Sequence, residues 1–189
     1  MNINQMRLPS NVILVGFMGS GKTLTGKELA EVLNFIFLDT DQWIEEKNKK
    51  KVREIFEEKG EVYFRNQEKN IINELRSKQG YVIATGGGIW ANKENRETLL
   101  KMGWCVWLKV SAKVAWQRVG ENLSQRPLLN RSSNPLKTME KILNERKLTY
   151  LLAHESFDTN RKSPKDVAHD IFQALKREKP FDFPEADVE

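Results

Sequence analysis

Short apolar runs recur along the chain at Val12–Val15, Phe35–Leu38, Tyr81–Ala84 and Trp104–Leu108, with a weaker one near Ser156-Phe157. Their length and their β-branched, aromatic and aliphatic content are those of strands buried on both faces. Between them, apolar residues return at helical spacing over 22–33, 61–77, 92–101, 111–119, 138–152 and 164–177. In the first of these the apolar set is Leu24, Leu29, Ala30 and Leu33. Strands alternating with helices in this way predict an α/β fold with a parallel sheet covered on both faces. The punctuation agrees with the periodicity. Asn92 and Ser111 stand where helix caps are needed, Gly103 where a helix ends, and Ser163-Pro164 reads as a cap followed by proline at the first helical position.

One segment breaks the rhythm. From Gly120 to Pro135 the chain is polar and rich in turn residues, and it carries Arg126 and Arg131. A connection that long inside a compact domain points to a functional, mobile flap. After residue 177 acids alternate with Pro180 and Pro184, which predicts a disordered tail over 178–189. Residues 1–177 are therefore expected to form a single domain, with the lid at about 120–135.

Charge and cysteine content narrow the classes. The net charge of +5 understates the basic character of the body, because Glu178, Asp182, Glu185, Asp187 and Glu189 all lie in the tail. Such a balance suits nucleic acid, a membrane surface or small anionic ligands. The densest basic run, Lys47 to Arg53, has no interleaved aromatic residue and reads as a solvated loop or helix face rather than a nucleic-acid site. No apolar run approaches the roughly 20 residues of a membrane span, and Met1–Ser10 lacks a signal-peptide core, so the chain is expected to be cytoplasmic. The single cysteine, Cys105, sits inside a strand pattern and reads as a core thiol.

Chemistry concentrates in a few places. Gly16 to Thr23, GFMGSGKT, fits the phosphate-binding loop, with a strand before it and an amphipathic helix after it. In such a loop successive N–H groups and the helix dipole face phosphate oxygens. Lys22 would reach the β and γ phosphates, and the Thr23 hydroxyl would ligate Mg²⁺. Asp39-Thr40-Asp41 follows the second strand, so both carboxylates emerge at the carboxyl edge of the sheet, one for a metal and one for a substrate hydroxyl. The competing reading is an aspartate that caps a helix starting at Gln42. Glu61 and Arg65 are four residues apart on one helix face, as an ion pair or as an arginine fork for a substrate carboxylate. Gly86-Gly87-Gly88 follows the third strand and implies close approach of backbone to a ligand. Arg146 and Tyr150 lie one helical turn apart. His154 and His169, the two histidines, have no neighbouring metal-ligand partner. Phosphoryl transfer from a nucleotide–Mg²⁺ complex fits this inventory.

Taken in order, GFMGSGKT, the DTD at 39–41, GEVYFR at 60–65, GGG at 86–88, QRPLL at 125–129, ER at 145–146 with Tyr150, and DTNRKSP at 158–164 resemble shikimate kinase over roughly residues 10–175. The resemblance implies a three-layer α/β/α P-loop kinase of nucleoside-monophosphate-kinase-like fold with a five-stranded parallel sheet and a mobile lid. It implies transfer of the γ-phosphoryl of ATP to the 3-hydroxyl of shikimate. It assigns ATP to Gly19, Ser20, Gly21, Lys22, Thr23, Leu24, Arg118, Arg126, Arg161 and Lys162, and Mg²⁺ to Thr23 and Asp39. Shikimate falls to Asp41, Arg65, Gly86, Gly87, Gly88 and Arg146, with Lys22, Asp41 and Arg126 catalytic. A cytoplasmic monomer without nucleic-acid or membrane partners is implied as well. Leu24 departs from the family, which usually carries a second hydroxyl there. The other readings are a related kinase acting on gluconate or a nucleoside monophosphate, a non-catalytic nucleotide-binding module, and a basic nucleic-acid binder.

Overall fold

The structure, a computed structural model, describes residues 8–120 and 134–177. In chain order the elements are β1 (Asn11–Val15), α1 (Lys22–Leu33), β2 (Ile36–Asp39), α2 (Thr40–Asn48), α3 (Val52–Leu75), β3 (Tyr81–Ala84), a 3-10 turn (Ile89–Ala91), α4 (Lys93–Met102), β4 (Trp104–Lys109), α5 (Ala112–Val119), α6 (Pro135–Tyr150), β5 (Glu155–Asp158) and α7 (Pro164–Leu175). The five strands form one parallel sheet in the order β2-β3-β1-β4-β5. Among the described residues no helix is long and apolar enough to cross a membrane.

Alternation along the central strands sorts the core into two layers. Ile13, Val15, Cys105 and Trp107 face α2, α3, α4 and α6. Val12, Leu14, Trp104, Val106 and Leu108 face α1 and α7. A smaller cluster of Phe17, Ala115, Val119 and Met139 lies under the loop after β1, joining it to α5 and α6. Cys105 is buried, and burial pushes its thiol well above the ordinary range. The sheet thus brings the ends of β1, β2 and β3 to one edge, where the candidate residues lie.

Most predicted elements stand within a few residues of their expected places. The caps are as read from sequence: Asn92, Ser111 and Ser163 each accept a backbone N–H from the first turn that follows. Three differences have physical causes. The helix predicted over 61–77 begins at Val52, because two helical segments run together across Gly60, whose φ of 77° is outside the helical region. The helix predicted from 138 starts at Pro135, capped by the Asn134 side chain. Leu24, expected on the apolar face of α1, is exposed; Thr25, Gly26, Leu29, Ala30 and Leu33 make that face. The flap and the tail, with Arg126 and Arg131, lie outside the described residues. The basic run is exposed at the α2–α3 junction and largely neutralised, in the pairs Lys47–Glu74, Lys50–Glu58, Lys51–Glu45 and Arg53–Glu57.

Asn11 anchors the other edge of the sheet. Its amide donates to Lys78 O at 2.8 Å and Met102 O at 2.9 Å and accepts from Tyr81 N at 3.0 Å, fixing the entries to β3 and β4 from β1. Replacing Asn11 with Ala strands these buried groups, so Asn11→Ala is expected to lower unfolding free energy by about 2–4 kcal/mol. A falling urea midpoint at constant m-value checks this.

Candidate active site

The loop between β1 and α1 is shaped by its glycines. Gly19 and Gly21 have φ of 72° and 89°, conformations that other residues resist. A Cβ on Gly19 would press on the Ala115 backbone at 2.8 Å, so the loop sits directly on α5. Lys22 lies back along the loop, its Nζ donating to Gly16 O at 2.8 Å and Phe17 O at 3.0 Å. This loop, Thr23, Asp39, Asp41, Gly87, Arg118, Thr159 and Lys162 enclose a cavity of about 460 Å³.

Asp39 serves both readings that sequence left open. Its Oδ1 accepts from the backbone N–H of Asp41 at 3.0 Å and of Gln42 at 3.4 Å, capping α2, and its Oδ2 accepts from the Thr23 hydroxyl at 2.7 Å. Thr40 between the two aspartates is fully buried, and its Oγ1 accepts from Gly86 N at 2.7 Å, tying the end of β2 to the glycine turn.

That turn is where Asp41, Arg65 and Arg146 meet. A Cβ on Gly86 would collide with Asp41 Oδ1, and one on Gly88 with Arg65 Nη1. Arg146 Nη1 donates to Gly87 O at 2.6 Å. The close approach expected of the three glycines is therefore made first by side chains of the site itself, and Asp41, Arg65 and Arg146 are gathered on one stretch of backbone. Arg65 bridges Glu61 at 2.9 Å and Glu68 at 2.8 Å, so the helix-face ion pair exists together with the juxtaposition to the turn. Its guanidinium lies 6.0 Å from the Phe56 ring centre and 5.8 Å from that of Phe64.

At the phosphate-loop end of the cavity, Arg118 donates to Gly19 O at 3.1 Å and to both the hydroxyl and the carbonyl of Thr159. It thus clamps the two walls of the cavity together. Lys162 lines the cavity and pairs with Asp170; Arg161 is exposed and is not among the lining residues. Ser20 is fully buried within the loop and Leu24 lines its mouth.

Sequence reasoning missed Glu68. It is 1% exposed, on the inner face of α3, and the only cue was its place three residues after Arg65. Burial pushes its carboxyl up to about 7; Arg65 opposes that rise, and the negative charge of Asp41 adds to it. Burial works against the Arg65 charge too, but Glu68 and Glu61 outweigh it and leave the guanidinium above its ordinary value. Phe56, Phe64 and Thr159 were also missed, since apolar and neutral residues carry no chemical signature in one sequence.

A parallel sheet with this strand order, a phosphate-binding loop after β1 and carboxylates and arginines across the sheet edge define a P-loop kinase. The family model for shikimate kinase matches residues 18–176. A curated relative named shikimate kinase, from Sulfurihydrogenibium sp. (strain YO3AOP1), is 42% identical over 167 residues, covering 88% of this chain and 98% of that protein. Another of that name, from Persephonella marina, is 38% identical over 166 residues, covering 88% of this chain and 99% of that protein. The solved structure of shikimate kinase from Acinetobacter baumannii in complex with shikimate superposes with a TM-score of 0.85 at 39% identity, covering 92% of this chain and 97% of that one. The chain belongs to the shikimate kinase family. A gluconokinase from Sinorhizobium meliloti, at 16% identity and a TM-score of 0.56, shares the fold.

A raised Glu68 pKa has a definite sign. The folded protein holds this proton to higher pH than the unfolded chain, so the contribution of Glu68 to stability is fullest below about pH 4.5 and falls as pH rises towards 7. Glu68→Gln removes that dependence. Thermal unfolding of both proteins across this range should show the variant gaining on wild type by about 3 kcal/mol as pH rises to 7.

Proposed function

We propose that this chain transfers the γ-phosphoryl group of ATP to the 3-hydroxyl of shikimate, with the phosphate loop holding the nucleotide and Asp41, Arg65 and Arg146 holding the acceptor. The observation that carries the reading is the meeting of those three side chains on the Gly86–Gly88 turn beside the phosphate-loop cavity. Shikimate is a small carboxylate bearing several hydroxyls. Two arginine forks suit its carboxylate, the turn's backbone suits ring hydroxyls, and Asp41 faces the nucleotide side of the same space.

Phosphoryl transfer asks mainly for positioning and for neutralisation of spread negative charge. Lys22 and the loop N–H groups would hold the β and γ phosphates. Asp41 would orient the attacking hydroxyl and take its proton as the new P–O bond forms. Arg126, assigned by resemblance, would stabilise the transferring group; it lies outside the described residues. Thr23 Oγ1 and Asp39 Oδ2, 2.7 Å apart at the cavity wall, are hard oxygen donors of the kind Mg²⁺ prefers, directly or through water. When bound, the ion would supply charge neutralisation at the phosphates. Arg118 and Lys162 would border the nucleotide base. The same reading makes the protein a cytoplasmic monomer using small molecules rather than nucleic acid, in keeping with a basic run largely taken up by ion pairs.

The direct test is ADP release with ATP and Mg²⁺ while shikimate, gluconate and nucleoside monophosphates are offered separately. Rapid turnover is expected with shikimate alone; turnover with another acceptor and none with shikimate would refute the proposal. Within it, Arg65→Ala is expected to raise KM for shikimate by about tenfold or more while KM for ATP moves less than about twofold. Equal weakening of both substrates would count against the assignment of Arg65.

A further inference from the structure

The hydrogen bond from Arg146 to the glycine turn belongs to a longer circuit. Arg146 Nη1 donates to Gly87 O at 2.6 Å, the Arg146 carbonyl accepts from Thr149 Oγ1 at 2.7 Å, and the Thr149 carbonyl accepts from the indole Nε1 of Trp90 at 2.8 Å. Trp90 stands three residues after Gly87, in the 3-10 turn, so chain and hydrogen bonds together close a ring. The turn side of that ring is stiff. Ile89 N donates to Gly86 O at 3.3 Å, Ala91 N to Gly88 O at 3.1 Å, and Arg96 Nη1 to Trp90 O at 3.0 Å. The helix side is the last turn of α6, where carbonyls run out of intrahelical donors and can take one from outside.

We infer that Trp90 is a positioning residue for the acceptor substrate: its indole N–H fixes the end of α6 against the glycine turn and so sets where the Arg146 guanidinium stands. The inference deepens the assignment of Arg146 to the shikimate carboxylate and rests on it. Its physical basis is the difference between directional and non-directional contacts. Tyr150 holds the same helix end by stacking on Trp107, with ring centres 5.5 Å apart and planes 14° from parallel. Stacked rings and apolar contacts permit sliding at small cost, whereas an N–H···O bond defines a distance and an angle. A guanidinium that must meet a planar carboxylate is sensitive to such displacement. The bond contributes little to keeping the fold, because Thr149 O also accepts from Leu152 N at 3.2 Å and would not be left bare without the indole.

Two substitutions separate positioning from packing. Trp90→Phe keeps most of the buried ring and removes the donor. Trp90→His loses the six-membered ring but places its Nε2 where the indole Nε1 stood. Wild-type turnover with shikimate, measured alongside, tests the underlying reading by itself. With that turnover in hand, Trp90→Phe is expected to raise KM for shikimate by about fivefold, with kcat and KM for ATP within about twofold and a nearly unchanged Tm. Trp90→His should have the lower Tm of the two and yet the KM for shikimate nearer to wild type. An unchanged KM for shikimate in Trp90→Phe, an equal rise in KM for ATP, or a KM for shikimate that worsens in step with Tm across the pair would overturn the inference. If the His variant does not fold, the contrast between the two KM values in Trp90→Phe decides alone.

Discussion

The carboxylate of Asp39 is the contact on which the site's geometry turns. One oxygen takes the first N–H groups of α2 and the other takes the hydroxyl of Thr23 at the start of α1. A single side chain therefore sets where the second helix begins, and with it the direction of Asp41, while holding the end of β2 to the phosphate loop. An N-cap of this kind contributes about 1 kcal/mol to a helix. Its larger effect is to make the oxygens of Thr23 and Asp39 and the carboxylate of Asp41 parts of one rigid turn.

Thr40 divides the two halves of that turn. Asp39 and Asp41 both line the cavity, Asp41 also pressing on Gly86, while Thr40, fully buried between them, binds the Gly86 amide. Charge follows the same division. Lys22, Arg118 and Lys162 stand at the phosphate-loop side of the cavity; Arg65 and Arg146 stand at the glycine turn, with Glu61 and Glu68 behind Arg65. The buried Glu68 raises the cost of bringing another negative group close to Asp41, and Arg65 is the cation that makes such closeness tolerable.

How much of this could be read from the chain follows from what each residue's role depends on. The strands and most helices were legible because burial on both faces of a parallel sheet writes continuous apolar runs, and because Asn92, Ser111 and Ser163 cap through their own side chains. The phosphate loop, Asp39, Asp41, Arg65 and Arg146 were legible because charged or glycine-rich motifs at fixed spacing are rare by chance. The extension of the third helix back to Val52 was not, since Gly60 reads as a helix breaker and is in fact a kink between two joined segments. Glu68 was hidden because a glutamate on a helix is ordinarily solvated, and only tertiary packing buries it. Asn11 and Trp90 were hidden for a related reason: each acts through side-chain polar atoms whose partners are distant in sequence. Arg161, adjacent to Lys162, is exposed and stands outside the lining of the cavity that Lys162 borders.

The glycine turn carries a consequence for inhibition. At Gly86 and Gly88 the space that a side chain would need is already filled by Asp41 and Arg65. A compound that drew its affinity from the peptide groups of this turn would thus contact a surface with almost no room for escape mutations. Alanine at either position blocks the compound only by dislodging Asp41 or Arg65, the side chains to which the proposed function gives the acceptor. Drug resistance would have to arise elsewhere, at side chains lining the pocket whose replacement leaves that pair in place.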